Sequence, residues 1–153
     1  MEMANKRISV PAFHQNIETL CNKVQDAAVE AGFDDRTAYA CQLATGEACE
    51  NVINHGYANE GDGDLILTIK ITQGQLIIEL CDTAPPFNPS IYPQDEDWEE
   101  EDPPIGGLGL KIIHKVMDKV SYTRRNGRNY LEMHKTDPYP HLNSHWNSSK
   151  GRT

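Results

Sequence analysis

Several things are missing from this 153-residue chain, and each absence removes a class of protein. No stretch approaches the ~20 consecutive apolar residues that a membrane-spanning helix needs, and the first residues carry no apolar signal core. The expectation is a chain that stays in the cytoplasm and off membranes. CxxC spacing is also missing: Cys21, Cys41, Cys49 and Cys81 each stand in an apolar-periodic stretch, which reads as reduced, packed thiols rather than disulfides or zinc. His134, His141 and His145 are too loosely spaced to argue for metal. A basic face is missing as well, since 14 Lys and Arg stand against 23 Asp and Glu for a net charge of −9. Asp95 to Asp102 (DEDWEEED) alone holds −7, leaving −2 for the rest, so a direct nucleic-acid binder is excluded. Residues 111 to 135 lean basic, which a solvated helix face and strand edge explain as well as an acidic partner does.

What is present reads as one domain over residues 1–136. Arg7 to Val10 alternates before Pro11 and predicts a short strand. Phe13, Ile17, Leu20, Cys21, Val24, Ala27, Ala28 and Ala31 recur at three and four, predicting a helix that Gly32 stops. A second helix starts at Asp34 or Asp35 and runs to about Asn54, before Gly56. Leu65 to Ile71 and Gln75 to Leu80 form a hairpin. Residues 83–105 hold most of the nine prolines and the acidic run, and read as a long lid loop. Leu108 to Val120 is helical, and Val120 to Thr123 with Asn129 to His134 form a hairpin around Asn126-Gly127. This order gives an α+β fold, a two-layer α/β sandwich with helices on one face of a mixed, mostly antiparallel sheet. Residues 137–153 are expected to be a flexible tail.

Three features could carry chemistry. Glu47, Asn51 and His55 stand four apart on the second helix, so helical geometry puts them on one stripe, which taken alone is also how a solvated face looks. Asp82 ends a strand, where its carboxylate can accept from an exocyclic amine such as that of adenine. Gly106, Gly107 and Gly109, with Leu108 and Leu110, run straight into a helix. Glycines let backbone approach phosphate oxygens, and helix N–H groups favour the anion. This is neither a Walker sequence nor the dinucleotide fingerprint.

The combination of Glu47-x-x-x-Asn51, Asn54-His55-Gly56-Tyr57, Asp82 with Pro85-Pro86-Phe87-Asn88-Pro89, and Gly-Gly-Leu-Gly-Leu resembles the GHKL ATPase superfamily over residues 6 to 135. Within it, the chain is similar to the anti-sigma factor serine kinases of the RsbW type. The resemblance implies a GHKL (Bergerat) ATP-binding fold using ATP and Mg2+. Glu47 would be the base that activates a substrate serine and Asn51 the Mg2+ ligand. Asn51, His55, Asp82, Ala84, Gly106, Gly107, Leu108, Gly109 and Leu110 would hold the nucleotide, with Asp82 reading adenine. The implied function is an ATP-dependent protein serine/threonine kinase acting on a small anti-anti-sigma protein and binding a sigma factor, as a possible homodimer. A nucleotide-gated binding module without phosphotransfer is the alternative, and the ATP-binding part of a histidine kinase a third. The chain departs from the family in having Ala84 and Pro86 where glycines are common. It also has Asn129 or Tyr130 near where a threonine often assists the adenine. The seven carboxylates of the lid would repel a triphosphate and must point to water.

Overall fold

Alternation at period two decides the sheet. Leu65, Leu67 and Ile69, then Leu76, Ile78 and Leu80, then Leu131 and Met133 are buried at every second position, while the residues between them are half-exposed. In this computed structural model, which describes residues 4–72, 74–86 and 107–137, these runs become strands of one sheet. The strands are β1 (Ala4–Pro11), β2 (Asp64–Thr72), β3 (Gln75–Asp82), β4 (Lys119–Arg125) and β5 (Arg128–Thr136). Their order across the sheet is β1-β2-β3-β5-β4, with every pairing antiparallel. The expectation of a mixed sheet is thus corrected to an antiparallel one among the described strands, because each of β1 to β5 finds its hydrogen-bonding partners in strands running the opposite way. β4 and β5 are joined by Asn126 and Gly127, both at positive φ (54° and 75°), the turn whose twist suits a two-residue hairpin.

Three helices cover the buried face: α1 (Ile17–Glu30), α2 (Asp35–Asn51) and α3 (Gly107–Val116). α1 buries Ile17, Leu20, Val24, Ala27 and Ala28, the stripe that the spacing predicts. A short 3-10 turn, His14–Asn16, precedes it in place of the helical start expected at Ala12. It closes with the Gly32 N–H on the Val29 carbonyl and the Phe33 N–H on the Ala28 carbonyl, each 3.0 Å, and Phe33 tucks into the core. α2 is capped by Asp34, whose carboxylate accepts the Thr37 N–H at 2.7 Å. That bond draws the Asp34 carboxyl below its usual range.

α3 ends at Val116, four residues before the sequence-based boundary of Val120. Lys135 Nζ caps the Val116 carbonyl at 2.7 Å, and the Asp118 N–H donates to the His134 carbonyl at 2.9 Å, so β-pairing takes over from residue 119. At the other limit, Asp137 is buried and its N–H donates to the Gly74 carbonyl at 2.9 Å. The ordered domain therefore includes a residue assigned to the tail. The remaining tail and the lid from residue 87 to 106 lie outside the described residues. All four thiols are unpaired, and burial pushes Cys21 up to about 11 and Cys41 to about 12. No described helix is long and apolar enough to cross a membrane.

Candidate functional site

The Asp34 cap fixes where α2 begins and therefore its rotational phase, which turns Asn51 inward and leaves Glu47 half-buried one turn earlier. The first turn of α3 comes down on this pair. A methyl group in place of the Gly109 hydrogen would lie 2.8 Å from Glu47 Oε1 and 3.5 Å from both amide atoms of Asn51. Only a glycine permits that approach. Asn51 is 5% exposed, and its Nδ2 has no hydrogen-bond partner among the described residues. A buried, unpartnered amide end costs about 1–3 kcal/mol, and it faces a backbone that a ligand could share. Burial raises the Glu47 carboxyl above its usual value, with a smaller contribution from the Glu50 charge. Glu47 and Glu50 also wall an open groove of about 290 Å³ between α1 and α2, floored by Ile17, Cys21 and Gly46.

His55 does not continue the stripe. The helix widens after Asn51 into a π turn, Val52–Gly56, closed by the Tyr57 N–H on the Val52 carbonyl at 2.9 Å. The extra residue per turn breaks the four-residue spacing, and His55 is exposed. The turn seats Tyr57 against the end of β3, where its hydroxyl donates to the Asp64 carbonyl at 2.8 Å and accepts the Thr83 N–H at 3.0 Å.

Asp82 ends β3 at 5% exposure. Its Oδ1 accepts from Asn129 Nδ2 at 2.8 Å and from the Ala84 N–H at 2.9 Å. Burial raises the Asp82 carboxyl, and those two donors and the Arg124 charge work against it. Ala84 sits where a glycine was noted as common. It is buried, makes this tight turn without positive φ, and accepts Arg124 Nη1 at 2.7 Å. Gly107 opens α3, Leu108 follows it, and Leu110 is buried at the start of the apolar face; Gly106 lies outside the described residues.

The structure thus offers a helix N-terminus with glycines beside a carboxylate–asparagine pair, the kind of place where phosphate oxygens are held, and separately a buried aspartate at a strand end, which can accept from an amine. Residues 10–135 match the model of the histidine kinase-like ATPase domain. The chain belongs to this family. Among its relatives is the serine-protein kinase RsbW of Listeria monocytogenes, 31% identical over 61% of this chain and 62% of that protein. Another is the serine/threonine-protein kinase BtrW of Bordetella bronchiseptica, 23% identical over 72% of this chain and 78% of that protein. The match to the Listeria kinase thus spans about three-fifths of its length. The fold is similar to that of part of the solved RsbU and RsbW domains of Rv1364c from Mycobacterium tuberculosis, with a TM-score of 0.63 at 15% identity over 87% of this chain and 32% of that one.

The buried Asn51 Nδ2 without a partner among the described residues is an N–H donor, so it suits an acceptor such as a phosphate oxygen, whereas a Mg2+ ion would take the amide oxygen. Reading the sequence placed Asn129 or Tyr130 near the adenine-assisting position and quoted Tyr57 only as part of a motif, and it did not single out Tyr122 or Arg124 as neighbours of Asp82. Asn129 and Asp82 are directly opposed in the β3–β5 ladder, a relation visible only once that register is known.

Proposed function

We propose that the chain is an ATP-dependent protein serine kinase of the anti-sigma type, which phosphorylates a small anti-anti-sigma protein and binds a sigma factor. The observation that carries this reading is the contact of Gly109 with both Glu47 and Asn51, which supports a carboxylate and a metal-binding amide meeting at the phosphate end of one site. The N–H groups at the start of α3 donate to phosphate oxygens, and Asp82 accepts from the adenine amine. Asn51 would hold Mg2+ through its amide oxygen, and the ion would supply charge that offsets the phosphates. The serine hydroxyl of the partner enters beside Glu47, whose groove-side exposure supports access from outside. Its oxygen bonds to the γ-phosphorus as the bond to the bridging oxygen of ADP breaks, and Glu47 takes the serine proton. The burial that raises Glu47 makes it a better base than an ordinary glutamate.

The test is Glu47→Gln. Calorimetry should find ATP affinity within a few-fold of wild type, because the amide is isosteric and the other contacts remain. Radiolabel transfer to an anti-anti-sigma protein from the same genome should fall about 10²- to 10⁴-fold. Collapse of ATP affinity would make Glu47 a structural or metal-holding group. ATP-dependent partner binding with no transfer by wild type would favour the nucleotide-gated module.

A further inference from the structure

Asn129 is a buried polar side chain that the reaction scheme leaves unused, and it is held by partners on both ends of its amide. On one side its Nδ2 is within hydrogen-bond reach of Asp82 Oδ1 at 2.8 Å, the Ala84 carbonyl at 3.0 Å and the Pro85 carbonyl at 3.2 Å. On the other side its Oδ1 accepts from the Tyr122 hydroxyl and from Arg124 Nη1, the latter at 3.0 Å. An amide can be built either way round, but here the partners choose. Turned over, it would set oxygen against a carboxylate and two carbonyls, and NH2 against a guanidinium. Tyr122 and Arg124 thus lock the amide so that its donors face Asp82. Both hydrogen bonds to the Asp82 carboxylate among the described residues then fall on Oδ1, one from Asn129 and one from the Ala84 N–H. Among the described residues no donor reaches the second oxygen, whose lone pairs are left for a ligand.

We infer that Asn129, locked by Tyr122 and Arg124, is a positioning residue that aims Asp82 at the exocyclic amine of an adenine nucleotide and so sets the preference for ATP over oxo-purine triphosphates. This rests on the reading of Asp82 as the adenine acceptor. The same array ties the carbonyls of Ala84 and Pro85, the first residues beyond β3, to the β4–β5 hairpin.

The experiment measures ATP and inosine triphosphate affinities for wild type, Asn129→Ala and Tyr122→Phe, with melting curves for all three. Inosine triphosphate differs at the amine position, where it presents a carbonyl, and gains nothing from an aimed carboxylate. Wild type should prefer ATP by at least about tenfold, the worth of one hydrogen bond to a charged group. Asn129→Ala should bring the ratio within about threefold by losing ATP affinity alone. Tyr122→Phe removes a single hydroxyl and should cost about three- to tenfold in ATP affinity, with inosine triphosphate unchanged and the melting curve close to wild type. If Asn129→Ala does not fold, Tyr122→Phe decides. A wild-type ratio retained in the folded variants, or an equal loss for both nucleotides, overturns the proposal alone. Equal binding of both nucleotides by wild type overturns the reading of Asp82 and the proposal with it.

Discussion

Gly109→Ala separates what holds the fold from what performs transfer, because its effects on the two have different sizes. The added methyl would stand 2.8 Å from Glu47 Oε1, some tenths of an ångström inside ordinary contact. The clashing atom is the far end of a flexible side chain, so Glu47 yields, at about 0.5–1.5 kcal/mol if it leaves its rotamer. Against this, alanine is worth up to ~1 kcal/mol over glycine inside a helix, and Gly109 is the third residue of α3. The two terms nearly cancel, so the melting temperature should move by no more than about 4 °C. Transfer has no such compensation. The carboxylate must retreat toward the α1–α2 groove, and a displacement of about 1 Å at a reacting group can cost ~10²-fold. Calorimetric melting and radiolabel transfer, measured on the same preparation, should show a stable protein with transfer down by one to two orders of magnitude. Unchanged transfer would mean that Glu47 does not act beside α3. A melting point more than about 8 °C lower would mean that the contact is structural.

Asn51→Ala should abolish the Mg2+ dependence of ATP binding, while stability changes little because Nδ2 gives up no hydrogen bond; calorimetry with and without Mg2+ checks both. The acid limb of the transfer rate should lie above 4.5, the usual value for a glutamate, because Glu47 is raised and only its ionised form accepts the proton. Glu50→Gln should move that limb down only in part, since burial is the larger cause and the Glu50 charge the smaller. His14 bridges Glu60 at 2.9 Å and Asn54 at 2.8 Å; these partners raise the histidine, and the histidine in turn lowers Glu60. The histidine's contribution is full below 6.5 and lost as pH rises through its raised value; that of Glu60 is full above 4.5 and lost as pH falls through its lowered value. The melting difference between wild type and His14→Gln should therefore peak between about pH 4.5 and 6.5 and vanish well into the alkaline range.

The candidate residues that sequence reading could single out are those written in local spacing. Glu47 and Asn51 are four apart on a capped helix, the glycines abut the start of α3, and Asp82 closes an apolar run before two prolines. The fold was legible for the same reason: the buried leucines and isoleucines of β2 and β3 alternate, and Asn-Gly announces its own turn. What escaped depends on contacts between distant segments. Asn129 meets Asp82 across 47 residues of chain. The end of α3 is set by Lys135 and His134 from another strand, against a sequence that could continue the helix to Val120. The π turn at Val52–Gly56 contains no proline to announce it, and it moves His55 away from the position that uniform α-helical spacing assigns. β1 proved longer than its alternating core because pairing with β2, from Ala4 against Ile71 onward, needs no apolar side chain.

The open ends of the sheet bear on how copies of this chain behave when crowded together. Among the described residues, β1 and β4 have no strand on their outer side, so growth of this sheet from one copy into the next would pass through them. Arg7 is exposed on β1, which ends in Pro11 with no N–H to offer, and Lys119 and Arg125 are exposed on β4. Whichever margins met, cations would meet cations, although the whole chain carries −9. The acidity of the chain thus conceals two positively charged borders that oppose fibre-like stacking. Concentrated salt weakens that protection, because at about 1 M the repulsion reaches only ~3 Å.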